Sequence, residues 1–112
     1  MGGATSRRRG HDYERALAAW LRSKGVRAIT SRDQNGGRQE GSDLITDLPV
    51  CVEAKCDKSF NFSGWLAQAR RDAGGDLAAV FVKRPGKSDP GESYVVMQAD
   101  EFVALVRPDV EF

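Results

Sequence analysis

The most regular pattern in the chain is the alternation over residues 50–56. Val50, Val52, Ala54 and Cys56 fall on one side, and Cys51, Glu53 and Lys55 on the other, because successive strand side chains point to opposite faces. The apolar side is expected to pack on a core, and the Glu53/Lys55 side to look onto a cleft. Earlier, Tyr13, Ala16, Leu17, Trp20 and Leu21 recur at helical spacing, which predicts an amphipathic helix over residues 10–24, with Gly25 as its C′ residue. Residues 26–30 read as a strand. Residues 31–42 (SRDQNGGRQEGS) are polar, glycine-rich and aperiodic. They read as a loop of about a dozen residues, long enough in a compact domain to suggest a function. Leu44 and Ile45 begin a second strand, residues 47–49 turn, and 50–56 form the third, so the three are expected as a meander.

Ser63 is expected to cap a helix over residues 64–73, with Trp65, Leu66 and Ala69 inward and Gly74-Gly75 ending it. The run 77–82 (LAAVFV) is apolar throughout, as suits a strand buried on both faces. The helix before it is then a crossover, and the third and fourth strands are parallel. A loop over 84–92, a fifth strand over 94–97 and a last helix over 100–106 complete the chain before Pro108. The expected class is α/β, a mixed central sheet of about five strands flanked by helices. Residues 10–112 form one domain, and residues 1–9 (MGGATSRRR) read as a flexible basic arm.

Composition narrows the classes. A chain of 112 residues, 40% hydrophobic, suits one packed domain. It has no run of ~18 apolar residues, so no membrane helix is expected. It also shows no apolar leader segment, and a cytoplasmic protein is expected. Cys51 and Cys56 lie five apart on one strand, facing opposite ways, so a disulfide between them is not expected. Two cysteines and one histidine also make a poor zinc set. The net charge of +1 hides an asymmetry: residues 1–38 carry nine Lys or Arg against three acids, and residues 89–112 one Arg against six acids. The basic half is where a phosphate backbone is expected to lie. Arg7, Arg8, Arg9, Arg32, Arg38 and Lys58 are the candidate contacts, holding DNA without reading its sequence. His11 is expected as an ordinary polar residue of the first helical turn.

The candidate chemistry lies in residues 41–55 (GSDLITDLPVCVEAK). Asp43 stands ten positions before Glu53, and Lys55 two after it. Asp43 and Glu53 on neighbouring strands can give two carboxylates to one hard divalent cation, and the Ala54 carbonyl a third oxygen. A cation there would polarise a phosphate and acidify a bound water. Lys55, on the face of Glu53, can orient that water or neutralise charge growing on phosphorus. Glu14 borders the apolar stripe of the first helix. It is either an ordinary boundary charge or a carboxylate aimed into the same site, reaching the cation directly or through water. Taken singly, Asp43 also fits a turn, and Glu53/Lys55 a solvated strand face.

The order of these motifs resembles the PD-(D/E)xK nuclease superfamily, and within it the archaeal-type and phage Holliday junction resolvases. The resemblance rests on residues 10–21 (GHDYERALAAWL), Lys24-Gly25, 31–37 (SRDQNGG), 41–43 (GSD), 52–55 (VEAK) and 77–82 (LAAVFV), and covers residues 7–106. Ser42 stands where that family commonly has proline. The resemblance implies a restriction-endonuclease-like sheet, Asp43 and Glu53 as metal ligands, Lys55 as the catalytic lysine and Glu14 as the helix-borne acid. It further implies Ser31 as a catalytic-loop serine, and Gln68 as a polar residue of the later helix placed with the DNA contacts. The expected function is a Mg2+-dependent endonuclease, with Mn2+ substituting, acting on branched or duplex DNA. It would work as a homodimer resolving four-way junctions in recombination and repair, in a prokaryotic or phage-infected cell. The alternatives are a restriction- or repair-type nuclease of the same superfamily, or an inactive nuclease-fold DNA-binding protein. Phe60 and Phe62 have no counterpart in the resemblance. They fit core, a dimer contact or a wedge stacking on unpaired bases.

Overall fold

The computed structural model describes residues 2–37 and 41–109. In chain order the elements are α1 (Gly2–Ser23), β1 (Ala28–Thr30), α2 (Ser31–Gln34), β2 (Leu44–Thr46), β3 (Cys51–Lys55) and α3 (Phe62–Ala73). They continue with β4 (Ala78–Val82), a 3-10 turn at Pro90–Glu92, β5 (Tyr94–Val96) and α4 (Ala99–Val106). The strands form one five-stranded sheet in the order β1-β2-β3-β4-β5. β1, β2 and β3 are an antiparallel meander, β3 and β4 are parallel across α3, and β5 returns antiparallel. The mixed α/β sheet flanked by helices is the expected class.

Helices cover both faces of this sheet. On one, Tyr13, Leu17, Ala18 and Leu21 of α1 close on Ala28, Leu44, Val52 and Ala54. On the other, Ala69 and Ala73 of α3 close on Ala78, Val80 and Val82. Full burial of a Leu or Val stabilises by roughly 1.5–3 kcal/mol, so these two layers hold the central strands. Among the described residues, no helix is long and apolar enough to cross a membrane.

Four local expectations are corrected. The first helix starts at Gly2, not at residue 10, so residues 2–9 of the expected arm belong to α1. Arginine is among the better helix formers, and the run Arg7–Arg9 propagates the helix instead of ending it. Its buried face is also rotated: Ala18 is buried and Ala16 exposed, which brings Glu14 into the buried stripe. The segment expected as an aperiodic loop opens with α2, whose start is capped by the Thr30 hydroxyl accepting from the Asp33 N–H at 3.0 Å. The cap of α3 is Asn61, whose side-chain oxygen accepts from the Gly64 N–H at 3.1 Å, and Ser63 lies inside the helix. Gly74 closes α3 in the left-handed conformation, at φ 60°.

Candidate active site

The meander sets the site. β2 and β3 run antiparallel with Leu44 opposite Val52. One step outward, Asp43 therefore falls opposite Glu53. The Asp43 Oδ2 accepts the Ala54 N–H at 2.8 Å, which fastens the start of β2 to β3. The Asp43 carbonyl accepts the Ser31 N–H at 2.8 Å, which ties α2 to the same point. Ser31 is fully buried, and its Oγ accepts from Asn35 Nδ2 at 3.3 Å. The fold thus brings Ser31 and Asp43 together.

Glu53 is 8% exposed and Glu14 is 7% exposed. Ionised carboxylates are costly at such depth without compensation. Burial, then contact with the Asp43 carboxyl, pushes the Glu53 pKa up to about 8. Burial, then the charge of Asp43, pushes Glu14 up to about 7, although Arg32 and Arg15 pull it the other way. Arg32 Nε stands 4.0 Å from Glu14 Oε1, the outer limit of an ion pair. Among the described residues, three buried side-chain atoms lack a hydrogen-bond partner: Glu14 Oε1, Arg32 Nε and Glu53 Oε1. All three belong to this cluster. Native folds satisfy nearly all such groups, and their concentration at one place makes this cluster the candidate site.

A divalent cation fits part of that description. The donors are hard carboxylate oxygens, and one of each Glu is buried and unpartnered. Among the described residues, no three His, Cys, Asp or Glu side chains gather in metal-binding geometry. The pair Asp43/Glu53 is the set that fits, with the Ala54 peptide beside it. That suits a small hard cation, which keeps several waters and takes one or two carboxylates. Lys55 ends β3, half-buried, on the Glu53 side of the strand.

The remaining expected residues lie further out. Arg7, Arg8 and Arg9 are exposed on α1. Arg32, expected on phosphate, faces Glu14. Arg38 lies outside the described residues. Gln68 is exposed on α3, where it donates to Asp72 at 3.0 Å and accepts from Arg71 at 2.6 Å. His11 is half-buried on α1. Cys51 and Cys56 are free thiols. Lys58 and Arg9 line a cavity of about 480 Å3 together with Lys83 and Arg84. These last two were missed. The available signal was their position directly after the apolar run 77–82, at the carboxyl end of a parallel strand, where open α/β sheets bind ligands. Asp72, whose charge also acts on Glu53, was missed as well.

In comparisons with known proteins, no family model, no curated protein and no solved structure matches this chain.

Proposed function

We propose that the chain is a metal-dependent DNA endonuclease, with Mg2+ as cofactor and Mn2+ able to substitute. The observation that carries this is the pair of buried carboxylates Glu53 and Glu14 beside the half-buried Asp43, with one oxygen of each Glu left without a hydrogen-bond partner. A buried polar group in that state costs roughly 1–3 kcal/mol. Nothing in the core requires it, and coordination would remove it.

Asp43, Glu53 and the Ala54 carbonyl would hold the cation, and Glu14 would act through water. When bound, it supplies Lewis acidity toward the phosphate and a lowered pKa for its water. The Ala54 N–H holds the Asp43 carboxylate and the Ser31 N–H holds the Asp43 backbone before substrate arrives, which is the preorganisation that such catalysis needs. Lys55, two residues past Glu53 on the same strand face, meets the negative charge that grows on the phosphoryl oxygens. In the overall reaction a water oxygen bonds to phosphorus and the bond from phosphorus to one sugar oxygen breaks. The sugar oxygen leaves with a proton, giving a hydroxyl and a phosphate monoester.

The substrate class we assign is branched DNA, foremost the four-way junction, cut by a homodimer. Support for this finer assignment is the motif order shared with junction resolvases. The test is cleavage of a synthetic four-way junction and of a linear duplex with the same arm sequences, each in Mg2+. Cutting confined to the junction is expected. Equal cutting of both, or cutting at one duplex sequence only, would replace the junction assignment with a restriction- or repair-type nuclease.

A further inference from the structure

β3 and β4 are parallel, so their carboxyl ends leave the sheet at the same edge. The Lys83 N–H donates to the Lys55 carbonyl at 2.9 Å, carrying the ladder one step past the strands. Beyond that step lies the cavity of about 480 Å3 lined by Arg9, Lys58, Lys83 and Arg84. Its one acid is Asp57, whose Oδ1 accepts from the Ser59 N–H at 3.2 Å. Among the described residues, none of the four cations has an ion-pair partner. Four like charges around one cavity repel, and an anion relieves them.

The cavity does not end in polar surface. The Arg84 guanidinium lies over the Tyr94 ring, 5.1 Å from its centroid. Tyr94 meets Phe60 edge-on at 6.1 Å, and Phe60 stacks on Phe62 at 5.2 Å. Trp65 supports both phenylalanines from α3. Phe60 is 41% exposed, Phe62 38% and Tyr94 43%. Large aromatic side chains left that open form a platform and not a core. Arg84 joins it to the cations, so cationic and aromatic surfaces are continuous.

We propose that this strip binds an unpaired DNA strand, its phosphates in the Arg9/Lys58/Lys83/Arg84 cavity and its bases stacked on Phe60 and Tyr94. An acidic peptide would use the cations and leave the rings idle. A paired duplex would offer phosphates, but its base faces are closed within the stack. An unpaired strand offers an anion and a π-face at every nucleotide. From Glu53 to Cys56 the backbone advances by about 10 Å at 3.3 Å per residue, so the strip begins just past the carboxyl end of the strand that carries Glu53. Taken with the nuclease reading, on which this step rests, it selects DNA unpaired next to the cut.

Binding can be measured without cleavage, by fluorescence anisotropy of the full chain in EDTA with a labelled oligothymidylate and a blunt duplex of equal length. The parent is expected to prefer the unpaired strand. Lys83→Gln with Arg84→Gln should weaken both probes about tenfold and flatten the salt dependence. Phe60→Leu with Tyr94→Leu should weaken the unpaired strand alone, by about tenfold. Unchanged thermal melting shows that each variant is folded, and single substitutions replace a pair that fails. An unchanged preference in the aromatic variant overturns the proposal. So does a fall in sedimenting mass without loss of affinity, which would make the platform a contact between copies of the chain. Because EDTA removes the metal, this outcome is independent of whether the chain cuts DNA. Loss of the nuclease reading alone would show as binding of the unpaired strand with no cleavage in Mg2+.

Discussion

β3 and β4 lie side by side in one parallel register, with Glu53 beside Val80 and Lys55 beside Val82. Along this shared register β4 places valines against α3, and β3 places an acid and a lysine. Val80 is 1% exposed and Val82 fully buried, and Glu53 is buried almost as deeply at 8%. For stability alone, a β3 built like β4 would serve better, since apolar residues at such a position gain from burial and a lone carboxylate loses. The register is shared, so the contrast lies in the side chains that the two strands present. β4 carries stability, and β3 carries a local cost that the proposed coordination of a cation would offset.

The comparison breaks most sharply at Glu53. Glu53→Gln should lower cleavage by at least about 10²-fold, the scale of losing one preorganised electrostatic contact. The same variant should be more stable than the parent by about 1 kcal/mol in urea unfolding at pH 8 without divalent cation. A Glu53→Gln protein that both cuts and unfolds like the parent would remove the contrast between the strands. On the other strand, Val80→Ala should cost about 2 kcal/mol, read as a lower urea midpoint at unchanged slope. With the fold retained, its cleavage should stay close to the parent's.

A smaller effect lies in pH. The folded pKa of Glu53 is raised to about 8 and that of Glu14 to about 7, each from 4.5. A folded pKa above the unfolded one means that the native state holds the proton more tightly. Stability from these groups is therefore full below about pH 4.5 and lost as pH rises through about 8. Melting of the metal-free protein should fall over that window, and Mg2+ should restore it at the alkaline end. In Glu53→Gln the slope should be shallower and end near pH 7, where Glu14 titrates, and an unchanged slope would remove Glu53 from the effect.

The site's central part was legible in the sequence because strand parity is a strong signal. The alternation over residues 50–56 put Glu53 and Lys55 on one side, and the turn after β2 put Asp43 on the neighbouring strand, while the register that sets Asp43 opposite Glu53 came only with the fold. The parallel pairing of β3 and β4 followed from the helix between them. What stayed hidden has physical causes. Alanine marks a helical face weakly, so Ala16 was placed on the apolar stripe where Ala18 belongs, and Glu14 looked like a border residue when it is buried. The four residues of α2 are too few to show a period, and only the Thr30 cap betrays them. Arg9 comes from α1, Lys58 follows β3, and Lys83 and Arg84 follow β4. Their common cavity depends on tertiary packing that no local pattern encodes.

The account is tested most directly by Asp43→Asn, which keeps the side chain's size and its acceptor for the Ala54 N–H while removing the charge. The measurement is cleavage of a four-way junction in Mg2+, with junction affinity measured alongside. Cleavage should fall by at least about 10²-fold, with affinity equal to the parent's or tighter because a charge repelling phosphate is gone. An Asp43→Asn protein that cuts at the parental rate would contradict the assignment of Asp43 and Glu53 as a metal-binding catalytic pair.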